Sequence, residues 1–244
     1  MNSHNNYIDI HSHILPGVDD GPGSMEQTIR MLHMAAEERI TTIIATPHYV
    51  FGRKNHPVDV LRDIADQVQQ QAYEIDKSFR IFLGNEINYS ESVVEDLKEG
   101  KALTLAGSRY VLVEFPYGID FKSMYHGMSK LIYSGYIPIL AHVERYYLIH
   151  RKPDMVNELI RMGCYIQMNS NSIIGGLLNI KVSYNRKLLQ KDMVHFISSD
   201  CHSDRVRVPI MQTAVNHLLR KFDDEHIDRI FIHNPTKILE DIYI

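Results

Sequence analysis

The chain has 244 residues, of which 44% are hydrophobic and 23% are charged, a composition typical of soluble globular domains. This length is enough to bury a sizeable core, and the formal net charge of −4, without a basic block, argues against non-specific nucleic-acid binding. Apolar runs reach only about five residues, which argues against direct membrane insertion and against a secretory signal; with only two cysteines, we expect a cytoplasmic protein.

Short aliphatic or β-branched runs recur along the chain and alternate with amphipathic stretches. They predict strands at Tyr7–His13, Thr41–Thr46, Arg80–Leu83, Tyr110–Glu114, Ile137–Ala141, Tyr165–Met168 and Val194–Ser199. Such alternation indicates a parallel sheet covered by helices, and seven units spaced by roughly 30 residues favour barrel closure. We therefore predict an α/β fold, a distorted (β/α)7 TIM-like barrel, as a single domain over residues 7–244 after a polar tail at 1–6.

Helical patterns lie between these runs. Ser24 and Gln27 have capping-box spacing and predict the start of one helix. Pro57 precedes a longer polar helix that we expect to continue through Gln71, and Pro153 begins another. Glycine-rich G-x-G-x-x-G and Walker sequences are absent from the chain, which removes the usual reason to expect an open nucleotide-binding sheet.

Fourteen histidines make up nearly 6% of the chain, and many of them fall at the carboxyl ends of the predicted strands. Six of the seven runs end in a histidine or a carboxylate, and in a parallel barrel these ends share the face where such folds place their sites. The candidates are His11, His13, His48, Glu86, Glu114, His142, Asp200 and His202. Imidazole and carboxylate without thiolate suit Mn, Fe, Zn or Co, so we predict a metal site. His195 faces the opposite side of its strand and is expected to be structural.

Two pairs of candidates repeat the same spacing. His11 and His13 stand two apart on a strand, so both side chains point to one side, and Asp200 and His202 repeat this arrangement. Asp9 lies on the same side of the first strand. We expect its carboxylate to accept a hydrogen bond from a metal-binding imidazole.

The loop at residues 14–24 follows the first predicted strand and contains three glycines that would let the backbone approach a ligand closely. Asp19 and Asp20 lie in the same loop. Two interpretations remain open from the spacing alone. Either these residues bring a carboxylate to a metal beside His13, or they form a plain Asp-Gly turn.

These motifs resemble those of the polymerase-and-histidinol-phosphatase (PHP) superfamily and, within it, the bacterial tyrosine-protein phosphatases of the CpsB/CapC type, which are encoded with capsule and exopolysaccharide genes. The matching segments are Ile8-Asp-Ile-His-Ser-His13, Asp19-Asp20-Gly21, Ala45-Thr-Pro-His48, Glu86, Tyr110-Val-Leu-Val-Glu-Phe115, Ala141-His-Val-Glu-Arg145 and Ser198-Ser-Asp-Cys-His202. The resemblance extends from about Tyr7 to Ile238. The fifth-strand box often contains proline in the family where this chain has Val143, a difference that leaves the ligands unchanged.

The resemblance implies a centre of three divalent ions, with Mn²⁺ as the family expectation and Fe or Zn as alternatives. It assigns the first ion to His11, His13 and Asp200. It lets Glu86 bridge to a second ion held by Glu114 and His142, and it assigns the third ion to Asp20, His48 and His202. The choice of Asp20 over Asp19 rests on the resemblance alone.

The implied activity is hydrolysis of phosphotyrosine, with Arg145 and Arg207 in the positions of phosphate-binding arginines and Arg205 near enough to exchange with Arg207. A metal-activated hydroxide would attack phosphorus directly, without a phospho-enzyme. A phenolate leaving group, with a pKa of about 10, needs less help from a general acid than an alkoxide does. The implied partner is a membrane-associated bacterial tyrosine kinase that regulates capsule or exopolysaccharide synthesis.

Three alternatives remain. Cys201 and Arg207 fit the C-x5-R spacing of cysteine-dependent tyrosine phosphatases, although neighbouring aspartates would raise the thiol pKa. A small-molecule PHP phosphoesterase, such as a histidinol phosphatase, would use the same metals. A non-catalytic kinase-binding module would use metals only for stability. The sequence does not predict the oligomeric state.

Overall fold

The computed structural model describes residues 6–146, 149, 152–175 and 179–244, so most of the predicted N-terminal tail, residues 1–5, lies outside the described residues. The strands are β1 Tyr7–Ser12, β2 Ile40–Ala45, β3 His48–Val50, β4 Arg80–Leu83, β5 Glu86–Asn88, β6 Tyr110–Glu114, β7 Ile137–Leu140, β8 Tyr165–Asn169 and β9 Phe196–Ser198. The helices are α1 Met25–Glu37, α2 Val58–Ile75, α3 Val93–Lys98, α4 Phe121–Tyr133, α5 Pro153–Met162, α6 Ile180–Gln190, α7 Gln212–Leu218, α8 Asp224–Asp228 and α9 Asn234–Leu239.

The strands are parallel and follow chain order around a barrel. β2 pairs with β1 and β4, while β3, β5, β6, β7, β8 and β9 form a continuous ladder. Only two residues separate β2 from β3 and β4 from β5, and each pair occupies one position in the sheet. Within the described ranges, the strand segments therefore fill seven positions, which confirms the predicted (β/α)7 architecture.

The seam between β1 and β9 closes the barrel. Ser12 and Cys201 form an isolated parallel bridge across it. His13 N donates to Cys201 O at 2.9 Å, and Asp200 N donates to His11 O at 2.8 Å. The seam thus places the ligand candidates from the two ends of the sequence side by side.

The helices cover the outside of the barrel with their apolar faces. Ser24 is the N-cap of α1, where its hydroxyl accepts from Gln27 N at 3.4 Å, so the predicted cap is confirmed. The second helix continues to Ile75, past its predicted end at Gln71, because Ala72 is fully buried and extends its apolar stripe. No helix in the described part of the chain has both the length and the apolar character needed to cross a membrane.

Inside the barrel, apolar side chains from several strands fill the interior around Ile10, Leu112 and Phe196. A larger apolar cluster lies between the barrel and the helices. The carboxyl ends of the strands carry buried histidines and carboxylates instead. Buried groups of this kind need partners, so this end of the barrel is the candidate site.

Candidate metal centre

All nine predicted ligands lie together at the carboxyl ends of the strands. Their donor atoms form groups within which all atoms are no more than 4.8 Å apart: His11, His13, Glu86 and Asp200; His13, Asp20, His48 and His202; and His48, Glu86 and Glu114. His142 Nε2 lies 2.8 Å from Glu86 Oε1 and 3.4 Å from Glu114 Oε2. The groups share members, so they form one continuous cluster of imidazoles and carboxylates.

Glu86, the first residue of β5, lies in the middle of this cluster and is buried. Its Oε2 is 3.2 Å from both His11 Nε2 and His13 Nε2, and 3.1 Å from His48 Nδ1. Burial raises the pKa of Glu86, but the charge of His11 and hydrogen bonds from the surrounding imidazoles outweigh it and hold the pKa well below its usual range. An ionised carboxylate in this position can contact more than one cation.

Asp19 lies behind His13 and orients its ring. Asp19 Oδ2 is 2.6 Å from His13 Nδ1 and accepts from His48 N at 3.0 Å, which turns His13 Nε2 toward the cluster. Burial alone lowers the pKa of His13, but its hydrogen bonds to Asp19 and Glu86 raise the pKa to about 10. A Cβ at Gly21 would lie 2.4 Å from the His13 carbonyl oxygen, so this glycine serves contact within the chain and not the approach of a ligand.

The two adjacent aspartates of this loop have separate positions. Asp20 Oδ1 lies 3.2 Å from His48 Nε2 and 3.3 Å from His202 Nε2, on the open side of the cluster. Asp19 is on the far side of His13 and contacts the opposite ring nitrogen. The geometry therefore gives Asp20 the place of a ligand candidate and Asp19 the place of a hydrogen-bonding partner, the distinction that spacing left open.

Two ligand candidates have an uncommon backbone conformation. His142 has φ 34° and Asp200 has φ 51°, in the left-handed region that non-glycine residues seldom adopt. Each follows the end of its strand, so the turn redirects its side chain into the cluster. Such conformations cost about 1–3 kcal/mol each and concentrate at functional sites.

Arg145 and Arg207 reach Asp200 from two sides. Arg145 Nη2 is 2.5 Å from Asp200 Oδ2, and Arg207 Nη2 is 2.5 Å from Asp200 Oδ1. Burial raises the pKa of Asp200, but the charges of His11 and Arg145 lower it to about 2. Both arginine side chains remain about one-third exposed, at 31% and 32%, so they face the mouth of the site. Arg205 is exposed, and its backbone N–H donates to Ser203 Oγ at 3.3 Å.

The prediction that Asp9 accepts a hydrogen bond from an imidazole is wrong. Asp9 Oδ1 accepts from the backbone N–H groups of Ser199 and His11, at 3.0 and 3.3 Å, and Asp9 Oδ2 accepts from Ser199 Oγ at 2.5 Å. The side chain lies against the backbone at the β1–β9 seam, which sequence spacing cannot show. Asp9 therefore stabilises barrel closure.

Cys201 has none of the features of a nucleophilic thiol. It is 1% exposed, and its Sγ lies 3.2 Å from Ser12 Oγ. Burial and the charge of Asp9 raise the pKa of the thiol to about 12, so it is protonated at neutral pH. Arg207, the arginine of the C-x5-R pattern, contacts Asp200. The structure thus gives the cysteine mechanism no support.

Two buried amides on β8, Gln167 and Asn169, were not among the predicted site residues. Gln167 Oε1 accepts from His142 N at 2.6 Å, and Asn169 Nδ2 donates to Asp200 Oδ2 at 2.6 Å. β8 ends without a histidine or a carboxylate, so a search for ligands passes over it. The available signal was a pair of amides two residues apart on a strand with apolar neighbours.

A family model described as "Capsular polysaccharide synthesis, CpsB/CapC" matches residues 7–240. The chain belongs to this family. Among its relatives, tyrosine-protein phosphatase CpsB of Streptococcus pneumoniae is 34% identical over 239 residues, which cover 96% of this chain and 98% of that protein. Tyrosine-protein phosphatase YwqE of Bacillus subtilis is 34% identical over 219 residues, covering 89% of this chain and 86% of that protein.

Solved structures of CpsB/CapC family members have the same fold. A structure from work on YwqE from Bacillus subtilis and CpsB from Streptococcus pneumoniae, described as "unique metal-dependent tyrosine phosphatases", superposes with a TM-score of 0.89 at 31% identity and covers 97% of this chain and 96% of that one. A TatD family hydrolase from Entamoeba histolytica has a TM-score of 0.56 at 12% identity over 97% of this chain and 98% of that one, a similarity of fold alone. The resemblance seen in the sequence is therefore confirmed at the level of family and fold.

Proposed function

We propose that this CpsB/CapC family chain is a metal-dependent protein tyrosine phosphatase. Its substrate would be phosphotyrosine on a membrane-associated bacterial tyrosine kinase that regulates capsule or exopolysaccharide synthesis, and it would act in the cytoplasm. The observation that supports this most is the convergence of five imidazoles, four carboxylates and two arginines at one end of the barrel. The names of its relatives agree with this chemistry.

The donor set fits divalent ions. His11 Nε2 and His13 Nε2 face each other at 3.4 Å with two carboxylates nearby, an arrangement that a shared cation would stabilise. We propose three ions with the following ligands: His11, His13 and Asp200 for the first; Glu114 and His142 for the second, with Glu86 bridging the two; and Asp20, His48 and His202 for the third. Manganese is our preferred metal because the family resemblance implies it, with iron or zinc as alternatives. Affinity alone would favour zinc over manganese, so availability in the cell selects among the metals that such a site accepts.

Bound divalent ions would supply a water molecule with a pKa of about 7 and would neutralise charge on the phosphoryl oxygens. The chain supplies the guanidinium groups of Arg145 and Arg207, whose planar forks match non-bridging phosphate oxygens. Because the Cys201 thiol is buried and protonated, we propose direct hydrolysis without a covalent phospho-enzyme. A phosphorylated protein trapped during turnover would contradict this mechanism.

The two larger clefts that border the centre favour a polypeptide substrate over a small metabolite. One, of about 550 Å³, is bordered by Asp20, His48 and Glu114. The other, of about 830 Å³, is bordered by Arg145 and Tyr117, and Tyr117 is 56% exposed. A phosphotyrosine between the clefts could extend its neighbouring residues into either one, whereas a histidinol phosphate would leave most of this space unfilled.

The decisive experiment is hydrolysis of p-nitrophenyl phosphate by the purified protein, before and after EDTA and with Mn²⁺ or Zn²⁺ restored. We expect activity to disappear with the chelator and to return with Mn²⁺. A phosphotyrosine peptide and histidinol phosphate are then compared by kcat/KM, and the peptide should be preferred. Activity that persists in EDTA would refute the metal mechanism, and preference for histidinol phosphate would favour the small-molecule alternative. No hydrolysis of any aryl phosphate at saturating metal would favour the binding module.

A further inference from the structure

Two amide side chains on β8 lie behind the candidate metal centre and contact three of its ligand candidates. Gln167 and Asn169, which we call the β8 amide pair, are 0% and 2% exposed and project to the same side of the strand. Gln167 Nε2 donates to Asn169 Oδ1 at 2.9 Å, so the two side chains form one hydrogen-bonded unit.

Gln167 contacts two histidine candidates, His11 on β1 and His142 in the segment after β7. Its Oε1 accepts from His142 N at 2.6 Å and lies 3.4 Å from His11 Nδ1. An amide oxygen only accepts hydrogen bonds, so it favours the His11 tautomer with a proton on Nδ1. With a metal ion bound in place of the second ring proton, that tautomer would present an unprotonated Nε2 on the side of Glu86 and Asp200, whose oxygens lie 3.2 and 3.4 Å away. The bond to His142 N also supports the left-handed backbone there.

Asn169 contacts the carboxylate candidate that follows β9. Its Nδ2 donates to Asp200 Oδ2 at 2.6 Å, on the oxygen that also receives Arg145. Asn169 is itself held, because its backbone N–H donates to Glu144 Oε1 at 3.1 Å. The carboxylate of Asp200 is therefore fixed in orientation by a donor that comes from a strand without any ligand of its own.

We propose that the β8 amide pair positions the metal ligands: Gln167 sets the tautomer of His11, and Asn169 sets the orientation of Asp200. Both are positioning residues that act through the ligands and touch no substrate. The inference rests on the proposed function, since it requires that the centre binds divalent ions. Hydrogen-bonding partners of metal ligands change metal affinity by about 10- to 100-fold when removed, which is the effect expected here.

The test measures Mn²⁺ and Zn²⁺ affinity of the full chain by competition with a chelator of known affinity. Gln167→Leu removes the amide at similar size and should weaken binding by about 10- to 100-fold. Asn169→Asp keeps the shape but places a carboxylate against Asp200, and should weaken binding at least as much. The matched control is Met168→Ala, since Met168 lies between them, is buried and faces the helices. It should lower the melting temperature without changing metal affinity.

A second measurement detects positioning directly. In the proton NMR spectrum of the zinc-loaded protein, the proton on His11 Nδ1 should give a downfield resonance typical of a hydrogen-bonded imidazole N–H, assigned by its loss in His11→Gln. This resonance should shift upfield in Gln167→Leu and stay in place in Met168→Ala. Wild-type metal affinity in both β8 amide pair variants would overturn the proposal, as would equal weakening by Met168→Ala. A wild-type protein that binds no divalent ion would overturn the proposed function as well, before any variant is compared.

Discussion

Two arginines separated by one residue have very different surroundings, and this gives the first prediction at the level of single residues. Arg207 contacts Asp200 at the mouth of the centre, whereas Arg205 is exposed. Arg207→Ala should lower kcat/KM for p-nitrophenyl phosphate by about 100-fold, the usual effect of removing one donor to transition-state charge. Arg205→Ala is the matched control and should stay within about twofold of the wild type. Equal losses in the two variants would contradict the assignment of Arg207.

A second residue-level prediction separates the metal mechanism from the thiol mechanism. Cys201→Ser should retain activity within about threefold, because its thiol is buried and its pKa is raised to about 12 by burial and by the charge of Asp9. His142→Ala should lower kcat/KM by more than about 100-fold, because it removes a ligand candidate beside Glu86 and Glu114. Initial rates of the wild type and both variants with p-nitrophenyl phosphate at saturating Mn²⁺ distinguish the two mechanisms. Inactive Cys201→Ser that still binds metal would favour the thiol.

Residue chemistry explains which parts of the site the sequence predicts. Histidines and carboxylates at strand ends are visible as residue types, so eight of the nine ligand candidates could be named before their geometry was known. The ninth, Asp20, lies in a loop and was chosen over Asp19 from the family resemblance alone. The hydrogen-bonding partner of each of these side chains cannot be read from residue type. Asp19 and Asp20 are adjacent and chemically identical, and only the path of the loop gives one to His13 and the other to His48. The role of Asp9 was predicted wrongly because its carboxylate accepts hydrogen bonds at the β1–β9 seam from Ser199, a residue 190 positions away in the sequence.

At the level of elements, apolar runs in the sequence predict the seven strand positions of the barrel. They do not predict that two of these positions are each divided into two short strands, β2 and β3 in one and β4 and β5 in the other. β3 and β5 are only three residues long and carry mixed residue types, so no apolar pattern predicts them. β3 pairs with β5, and their first residues, His48 and Glu86, lie in register. The kinks before β3 and β5 thus bring these two ligand candidates together, a result of tertiary pairing that local sequence cannot predict.

His195, the residue directly before β9, is a titratable group that lies away from the metal centre, and its surroundings predict how stability depends on pH. His195 Nδ1 accepts from Ile166 N at 3.1 Å, and burial lowers the pKa of His195 to about 4. Between pH 6.5 and 4, His195 is protonated in the unfolded chain but remains neutral in the folded chain. The free energy of unfolding therefore falls as the pH is lowered through this window. This contribution to the free energy of unfolding is fully present above pH 6.5 and amounts to about 3 kcal/mol.

The variant His195→Asn keeps an acceptor for Ile166 N but does not titrate. Urea unfolding of chelator-treated wild type and variant at pH 7 and pH 4.5 gives the free energy of unfolding of each. The wild type should lose about 2 kcal/mol more than the variant over this interval. Using the difference between the two proteins removes the contribution of other titrating groups. Identical losses would show that His195 is already protonated, or is accessible, in the folded protein.

At the scale of the whole molecule, the centre joins parts of the chain that are distant in sequence. Its ligand candidates come from β1, β3, β5, β6 and the segments after β1, β7 and β9, so they surround one end of the barrel. Without cations, four carboxylates are close together there, and His13 and His142 partly compensate them in protonated form. Burial lowers the pKa of His142, but hydrogen bonds to Glu114 and Glu86 raise it to about 9. Bound metal would replace these protons and connect the strands directly.

Metal binding should therefore stabilise the entire barrel, not the site alone. A ligand present at 1,000 times its Kd adds about 4 kcal/mol to the free energy of unfolding, which for a chain of this size raises the melting temperature by about 10 °C. Calorimetry of the EDTA-treated protein with and without Mn²⁺ measures the shift, and Mg²⁺ at the same ionic strength controls for screening. His142→Ala should show a smaller rise than the wild type. A melting temperature unchanged by Mn²⁺ would mean that these side chains form a self-compensating network of imidazoles and carboxylates, and the proposed chemistry would lose its basis.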